Sequence, residues 1–182
     1  MMNLYEGNLA SKFRADFTHG SSSHGLAFRN WFRGERTDKI TPGLSTWGYW
    51  AVDDQFKNNY YTFVGNVLGS PSWTTGTVTA SGNCGVGGKV AFRFGCDGNP
   101  GGFASPTAFN TAIRHGNYDY ITDGVANWDG GANHTLKPSM YYSSKPAFFG
   151  SCAWPAFGPD LPAITNTLPA KARFEGSPAC SP

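Results

Sequence analysis

Three short segments of the chain end in the same way, with an apolar and aromatic run that closes on asparagine. They are NLYEGN at Asn3–Asn8, LAFRN at Leu26–Asn30 and YTFVGN at Tyr61–Asn66. Apolar residues recur at fixed offsets, with Tyr5, Ala27 and Phe63 three places before the asparagines and Ala10, Phe32 and Leu68 two places after them. The phrase therefore predicts a short strand, a tight bend and a second short strand, repeated along the chain.

The spacing of the phrase predicts a coil. The closing asparagines are residues 8, 30 and 66, so the spacing is 22 and then 36 residues, which fits one β-solenoid rung and one rung carrying an insertion. Rungs stacked about 4.8 Å apart would let Asn8, Asn30 and Asn66 bond to one another as a ladder that fixes the register. The alternative is three ordinary hairpins, although hairpin turns favour Asn-Gly over the Gly-Asn order found here.

The rest of the chain divides into insertions and an unusual C-terminal segment. Long insertions fall near residues 34–59 and 70–110, and residues 1–133 are assigned to the coils. Residues 134–182 are dense in proline and aromatic residues, which predicts an extended segment of the same domain that caps an exposed end. The side chains expected to plug that exposed end are Phe148, Phe149, Trp154 and Phe157. An aromatic cradle for a ligand is the alternative interpretation of this segment.

The four cysteines of the chain bear on whether the protein is exported to an oxidising compartment. Cys84, Cys96, Cys152 and Cys180 form two well-separated pairs without the C-x-x-C spacing of a zinc or redox site. We prefer the disulfides Cys84–Cys96 and Cys152–Cys180, although the sequence permits three pairings. Disulfides favour export, yet no signal peptide is visible, so we expect Met1 not to be the start of the natural product.

Charge and hydropathy narrow the possible partners. The net charge is +2 and the basic residues are scattered, so no broad field would attract nucleic acid. No run approaches the roughly 18 apolar residues that a membrane span requires. We therefore expect neither a nucleic-acid partner nor a membrane span.

The repeated segments resemble a known family when they are read with GVANWDGGANHTLKPSMYYSSKPAFFG at residues 124–150 and WPAFGPD at residues 154–160. The family is the right-handed parallel β-helix proteins of the pectate-lyase-like superfamily, bacterial or phage-associated. The resemblance implies an all-β solenoid with long loop insertions and a C-terminal cap, an extracellular or cell-surface location, and glycans as the usual substrate class. It also implies further β-helix coils, or another chain, at the N-terminal end, and it implies no activity.

The stretch RADFTHGSSSH at residues 14–24 contains the most reactive-looking side chains. Asp16, His19 and His24 lie within nine residues, and lyases similar to this chain use Arg or Lys as the base, which adds Arg29 to the catalytic candidates. The alternative is a polar turn in which serines cap backbone groups. No cofactor is expected; calcium is possible, but no motif supplies the six to eight oxygen ligands that it takes.

A second candidate site lies on the first insertion. Trp47, Tyr49 and Trp50 could form an aromatic platform for a glycan, with Arg33 nearby, or they could anchor the insertion by packing. The sequence predicts a rigid carbohydrate-contacting or scaffolding module. The alternatives are a polysaccharide lyase or glycoside hydrolase acting on extracellular glycans, and a structural subunit that stacks through an uncapped N-terminal rung.

Overall fold

The computed structural model describes residues 2–35, 49–82, 84–85, 87–97, 105–177 and 180. The strands are β1 (Asn3–Glu6), β2 (Leu9–Ala10), β3 (Phe13–Ala15), β4 (Gly25–Phe28), β5 (Trp31–Phe32), β6 (Trp50–Asp54), β7 (Thr62–Val64), β8 (Val67–Leu68), β9 (Thr77–Ser81), β10 (Val90–Phe94), β11 (Ile113–His115), β12 (Tyr118–Asp119) and β13 (Gly124–Val125). The helices are α1 (Pro106–Thr111) and α2 (Pro169–Phe174), with a 3₁₀ turn at Ala147–Phe149.

These strands form three sheets. The first sheet has the order β1-β4-β7-β11, the second has the order β3-β6-β10-β9, and the third has the order β13-β12-β8-β5-β2. Every pair is parallel except β12 with β13, which is antiparallel. At its N-terminal end the chain contributes one strand to each sheet in turn, with β1 in the first sheet, β2 in the third and β3 in the second. Each of these strands is only two to four residues long.

Tight corners join the first sheet to the third. Gly7 and Gly65 have left-handed φ values of +70° and +62° directly before two of the repeated asparagines, a conformation that glycine adopts without steric cost. Arg29 stands at the equivalent corner before Asn30 with φ +50°, which is uncommon for a residue that has a side chain. The repeated phrase therefore folds as a strand, a corner and a strand.

Aromatic side chains fill the space between the sheets. Phe13 of β3, Phe63 of β7 and Phe92 of β10 are buried in one cluster, and the ring centroids of Phe13 and Phe63 are 5.3 Å apart at an interplanar angle of 86°. Phe63 meets Phe92 in the same edge-to-face manner, with centroids 5.6 Å apart. Such pairs contribute beyond the area that they bury, so these rings hold the first and second sheets together.

The structure corrects the predicted fold class. The described chain is not a right-handed parallel β-helix, because no sheet closes or repeats as a regular solenoid: β9 lies outside β10, against chain order, and β13 is antiparallel. The fold consists instead of three open, mostly parallel sheets of short strands with few helices. The insertions explain the difference, because residues 34–59 contribute β6 and residues 70–110 contribute β9 and β10 to the second sheet.

The C-terminal segment also differs from its predicted role as an end cap. Phe149, Ala156 and Phe157 form a second buried cluster with Val67 of β8, whereas the neighbouring Leu68 belongs to the first cluster. Since successive strand residues point to opposite faces of a sheet, the segment covers the outer face of the third sheet. Of the other plug candidates, Trp154 is partly buried against this cluster, and Phe148 is 53% exposed.

Both preferred disulfides are present, Cys84–Cys96 and Cys152–Cys180. Two disulfides are typical of an oxidising, extracellular environment. In the described part of the chain, neither helix has the length and hydropathy that crossing a membrane requires.

Candidate functional site

The repeated asparagines form a continuous row of side-chain hydrogen bonds. The Nδ2 of Asn8 donates to Oδ1 of Asn30 at 2.9 Å, and Nδ2 of Asn30 donates to Oδ1 of Asn66 at 2.9 Å. The row continues to Asn117, whose Oδ1 accepts from Nδ2 of Asn66 at 2.8 Å. Sequence reasoning missed Asn117, although Gly116 precedes it just as Gly7 precedes Asn8. The row fixes the register of neighbouring strands, because buried amides must keep their partners.

Two of the four catalytic candidates lie together. Nδ1 of His19 lies 3.2 Å from Oδ1 of Asp16, and the backbone N–H of His19 donates to the same oxygen at 3.1 Å. That backbone hydrogen bond is the main reason that the pKa of Asp16 lies below its usual value. The His19 side chain is 85% exposed. The pair can orient an imidazole in water, but Ser22 does not complete a Ser-His-Asp arrangement, since its hydroxyl bonds Asn58 and Tyr61 instead.

The other two candidates lie elsewhere. His24 is exposed, stacks on the ring of Tyr60 with centroids 4.9 Å apart, and has its Nδ1 2.8 Å from the hydroxyl of Ser23. Among the described residues, no hydrogen bond or ion pair joins His24 to the Asp16–His19 pair. The structure therefore brings Asp16 and His19 together without His24.

Arg29 is an internal anchor of the fold. Its guanidinium is 2% exposed and forms a two-pronged ion pair with Asp160, with N–O distances of 2.8 and 2.7 Å. The remaining N–H groups donate to the backbone carbonyls of Leu136, Lys137 and Phe157. All five donors of the side chain are thus used, and the contacts tie the C-terminal segment to the corner after β4.

The predicted aromatic platform is only partly described. Trp47 lies outside the described residues. Tyr49 is partly buried against the first core cluster, and the guanidinium carbon of Arg33 lies 5.4 Å from the ring centroid of Trp31. The ring of Trp50 contacts two cations, with Arg93 Cζ 3.3 Å and Lys12 Nζ 5.1 Å from its centroid. Cation–π contacts of this kind hold a ring in place, so the ring of Trp50, the first residue of β6, is held within the second sheet by Arg93 of β10 and by Lys12 next to β3.

A charged cluster lies inside the second sheet. Asp53 and Arg93 are almost fully buried, and Nε of Arg93 donates to Asp53 at 2.7 Å. Gln55 donates to the other oxygen of Asp53 at 2.9 Å. The neighbouring Asp54 is also buried, and neither of its carboxyl oxygens has a hydrogen-bond partner among the described residues. Burial, and then the nearby charge of Asp53, raise the pKa of Asp54 to about 8.

A cleft of about 630 Å³ separates the β1–β2 corner from the C-terminal segment. We call it the aromatic cleft, because Tyr141, Tyr142, Phe148 and Trp154 line it. Tyr141 is 77% exposed and Tyr142 is 42% exposed, and their ring centroids are 4.8 Å apart at 88°. Sequence reasoning named Phe148 and Trp154 but missed both tyrosines, for which the adjacent YY in an aromatic-rich segment was the available signal.

Polar groups converge on the aromatic cleft from both walls. Glu6 and Asn8 line it on the side of the first and third sheets, and Arg173 of α2 lines the opposite side. One oxygen of Glu6 accepts the backbone N–H of Met140 at 3.0 Å, which connects the two walls. The cleft therefore combines exposed rings with a carboxylate, an amide and a guanidinium.

The described residues contain no group of three or more His, Cys, Asp and Glu side chains placed to hold a metal ion. Comparisons with protein-family models, with curated proteins and with solved structures give no match. The pectate-lyase-like resemblance thus rests on the sequence segments alone.

Proposed function

We propose that the protein is an extracellular module that binds a glycan chain in the aromatic cleft without converting it. The observation that carries the proposal is the set of exposed rings, with Tyr141, Tyr142 and Phe148 beside Glu6 and Arg173. Buried rings would serve packing alone. Large rings left exposed beside polar groups are typical of binding sites.

The chemistry of the cleft suits a sugar polymer. A sugar ring has apolar C–H faces that can stack on an aromatic ring, while its hydroxyl groups donate and accept hydrogen bonds at the rim. The carboxylate of Glu6 can accept from such hydroxyls, and the guanidinium of Arg173 can donate to them. The volume of about 630 Å³ lies within the range of small-molecule sites, so it can hold a short length of a glycan.

The walls of the cleft are held rigidly. Arg29 and Asp160 join the C-terminal segment to the sheets, and the Cys152–Cys180 disulfide joins two parts of that segment. A site that is already ordered loses little conformational entropy when a ligand binds. This rigidity supports binding. A lyase or hydrolase acting through Asp16, His19, His24 and Arg29 is the alternative, and of these side chains only Asp16 and His19 contact each other.

The test is binding to an array of neutral and acidic polysaccharides, followed by calorimetric titration of the best ligand. Tyr141→Ala and Tyr142→Ala should each weaken binding about tenfold, because each removes a ring contact of roughly 1.5 kcal/mol. The matched control is Tyr60→Ala, which removes a 54% exposed tyrosine outside the cleft and should leave the affinity unchanged.

Two results would overturn the proposal. One is the absence of binding to every polysaccharide on the array. The other is an affinity that falls as much in Tyr60→Ala as in Tyr142→Ala. Release of new reducing ends or of unsaturated sugars during the incubation would favour the enzymatic alternative.

A further inference from the structure

We infer that the Cys152–Cys180 disulfide is a redox switch of the aromatic cleft, which binds a glycan tightly only while this bond is formed. The inference rests on the proposed function, because it concerns the regulation of that same site. Three features support it, namely the position of the two cysteines, the weak anchoring of α2 and the exposure of Cys180.

The disulfide joins two elements that line the cleft. Cys152 follows the 3₁₀ turn Ala147–Phe149, which supplies Phe148 and Phe149 to the cleft, and its backbone N–H donates to the carbonyl of Phe149 at 2.9 Å. Cys180 follows α2. The residues of α2 and of its N-terminal end that line the cleft are Leu168, Pro169, Ala170 and Arg173. The bond therefore ties the chain beyond the turn to the chain beyond the helix.

The packing of α2 is slight. The helix has only six residues, a length that is not stable without support from other parts of a fold. Leu168, just before it, is partly buried against the second core cluster. Of the helical residues only Pro169 and Ala172, both small, are buried, and Phe174 is 91% exposed. We therefore expect the covalent bond to decide whether α2 stays in place.

The two disulfides differ in how easily a thiol reaches them. Cys96 is fully buried, Cys84 is 6% exposed and Cys152 is 9% exposed, whereas Cys180 is only partly buried. Cys180 also has a left-handed φ of +68°, which is strained in a residue that has a side chain. Exposed and strained disulfides are the labile ones. The Cys152–Cys180 bond should therefore open before the Cys84–Cys96 bond.

The switch operates by thiol–disulfide exchange with a small dithiol. One thiolate of the dithiol attacks Sγ of Cys180, the bond to Cys152 breaks, and Cys152 leaves as a thiolate that takes up a proton. The second thiol of the reagent then displaces Cys180 from the mixed disulfide. The products are two cysteine thiols and one cyclic disulfide, so two electrons and two protons pass from the dithiol to the protein. Exchange with a disulfide carrier reverses the reaction.

Opening the bond lowers the fraction of molecules in which the cleft is complete. When α2 moves away, the cleft loses the guanidinium of Arg173 and part of its apolar wall. The apparent affinity falls in proportion to the competent fraction, so an α2 that is in place in about one molecule in ten weakens binding about tenfold. A chain in a reducing compartment would thus bind glycans poorly and would gain affinity on export.

The first test is amide hydrogen exchange of the full chain, which needs no glycan. Dithiothreitol is added until mass spectrometry of alkylated cysteines shows free thiols at Cys152 and Cys180 while Cys84–Cys96 is still closed. We expect the amides of Pro169–Phe174 to exchange about tenfold faster than in the oxidised protein, because the helix opens more often. Exchange within β10 should not change.

The second test probes the array of neutral and acidic polysaccharides with the oxidised protein and with protein reduced in this way. Signals should fall about tenfold on reduction and return on reoxidation. The double variant Cys152→Ser/Cys180→Ser should bind like the reduced protein and should not respond to dithiothreitol. The matched control is Cys84→Ser/Cys96→Ser, which removes the disulfide outside the cleft and should keep both the affinity and the response. Far-UV circular dichroism checks that each variant folds, and chemical reduction decides the matter if one does not.

Three results would overturn the inference. They are unchanged exchange of Pro169–Phe174 after reduction, equal array signals from the oxidised and reduced protein, and reduction of Cys84–Cys96 before Cys152–Cys180. An oxidised protein that binds no polysaccharide would instead overturn the proposed function. The exchange measurement would then still decide whether the disulfide holds α2 in place.

Discussion

Two nearly fully buried arginines stand in opposite situations. Arg29 uses all five of its donors, on Asp160 and on three backbone carbonyls. Arg93 donates to Asp53 through Nε, but its Nη2 has no partner among the described residues, and neither does the carboxyl of the nearby Asp54. The comparison shows that burial alone does not reveal the role of a charge. A fully bonded guanidinium joins two parts of a fold, whereas a partly bonded cluster costs stability.

The largest effect is expected from Arg29→Met. The substitution removes the donors of three carbonyls and the partner of Asp160, whose side chain is 37% exposed, and the loss of several hydrogen bonds of a buried guanidinium costs about 3 kcal/mol. Urea denaturation should show this loss in the free energy of unfolding. The control is Lys171→Met in the exposed Lys171–Glu175 pair, which should change that free energy by about 0.5 kcal/mol or less. Similar losses in both variants would remove the distinction.

The next largest effect is expected from Asp54→Asn, and it depends on pH. The pKa of Asp54 is raised from 3.8 to about 8 in the folded chain. Between about pH 4 and pH 8 the unfolded chain releases this proton while the folded chain keeps it, so stability falls as the pH rises through that window. Asp54→Asn should remove this fall and stabilise the protein by about 2 kcal/mol at pH 8.

Denaturation curves at pH 4.5 and pH 8 measure the Asp54 effect. The gain stays below the full linkage value, because a buried amide also lacks partners there. Glu175→Gln changes an exposed carboxylate and serves as the control, with little dependence on pH. The same difference between the two pH values in the wild type and in Asp54→Asn would show that Asp54 is not the group responsible.

The smallest effect is expected from Arg93→Met, at about 1 kcal/mol, because Asp53 keeps Gln55 at 2.9 Å and Arg14 at 3.5 Å. A double-mutant cycle with Arg14→Met sharpens the comparison. Arg14→Met should cost more in the Arg93→Met background than alone, since Asp53 then loses both cations. A cost for Arg93→Met as large as that for Arg29→Met would contradict the contrast drawn between the two arginines.

The sequence correctly predicted those features of the fold that depend only on residues adjacent in the chain. The Gly-Asn corners follow from the backbone freedom of glycine, so the strand–corner–strand units were visible in the repeated phrase. Asn117 was missed because the strand before it, Ile113–His115, carries Arg and His in place of an apolar run. The prediction of a solenoid was wrong because the insertions were expected to be loops. In the structure, Thr77–Ser81 of the second insertion is a strand that pairs with β10 in the second sheet.

The candidate site was less predictable, because its residues are far apart in the chain. Glu6 and Arg173 both line the aromatic cleft although they come from opposite ends of the sequence, and no local pattern joins them. Arg29 was proposed as a catalytic base from the resemblance alone. Its partner Asp160 lies 131 residues away, and no pattern of neighbouring residues pairs the two. The aromatic cradle was an open alternative, and the exposed tyrosines of the cleft now support it.

The same separation between Arg29 and Asp160 affects how the chain reaches its native state. Contacts between residues so distant in sequence close large loops and form slowly. During synthesis, the arginine emerges from the ribosome long before its carboxylate and carbonyl partners exist. The sheets must therefore assemble around an incompletely bonded guanidinium, and roughly the last quarter of the chain, which holds all of these partners, completes its bonding.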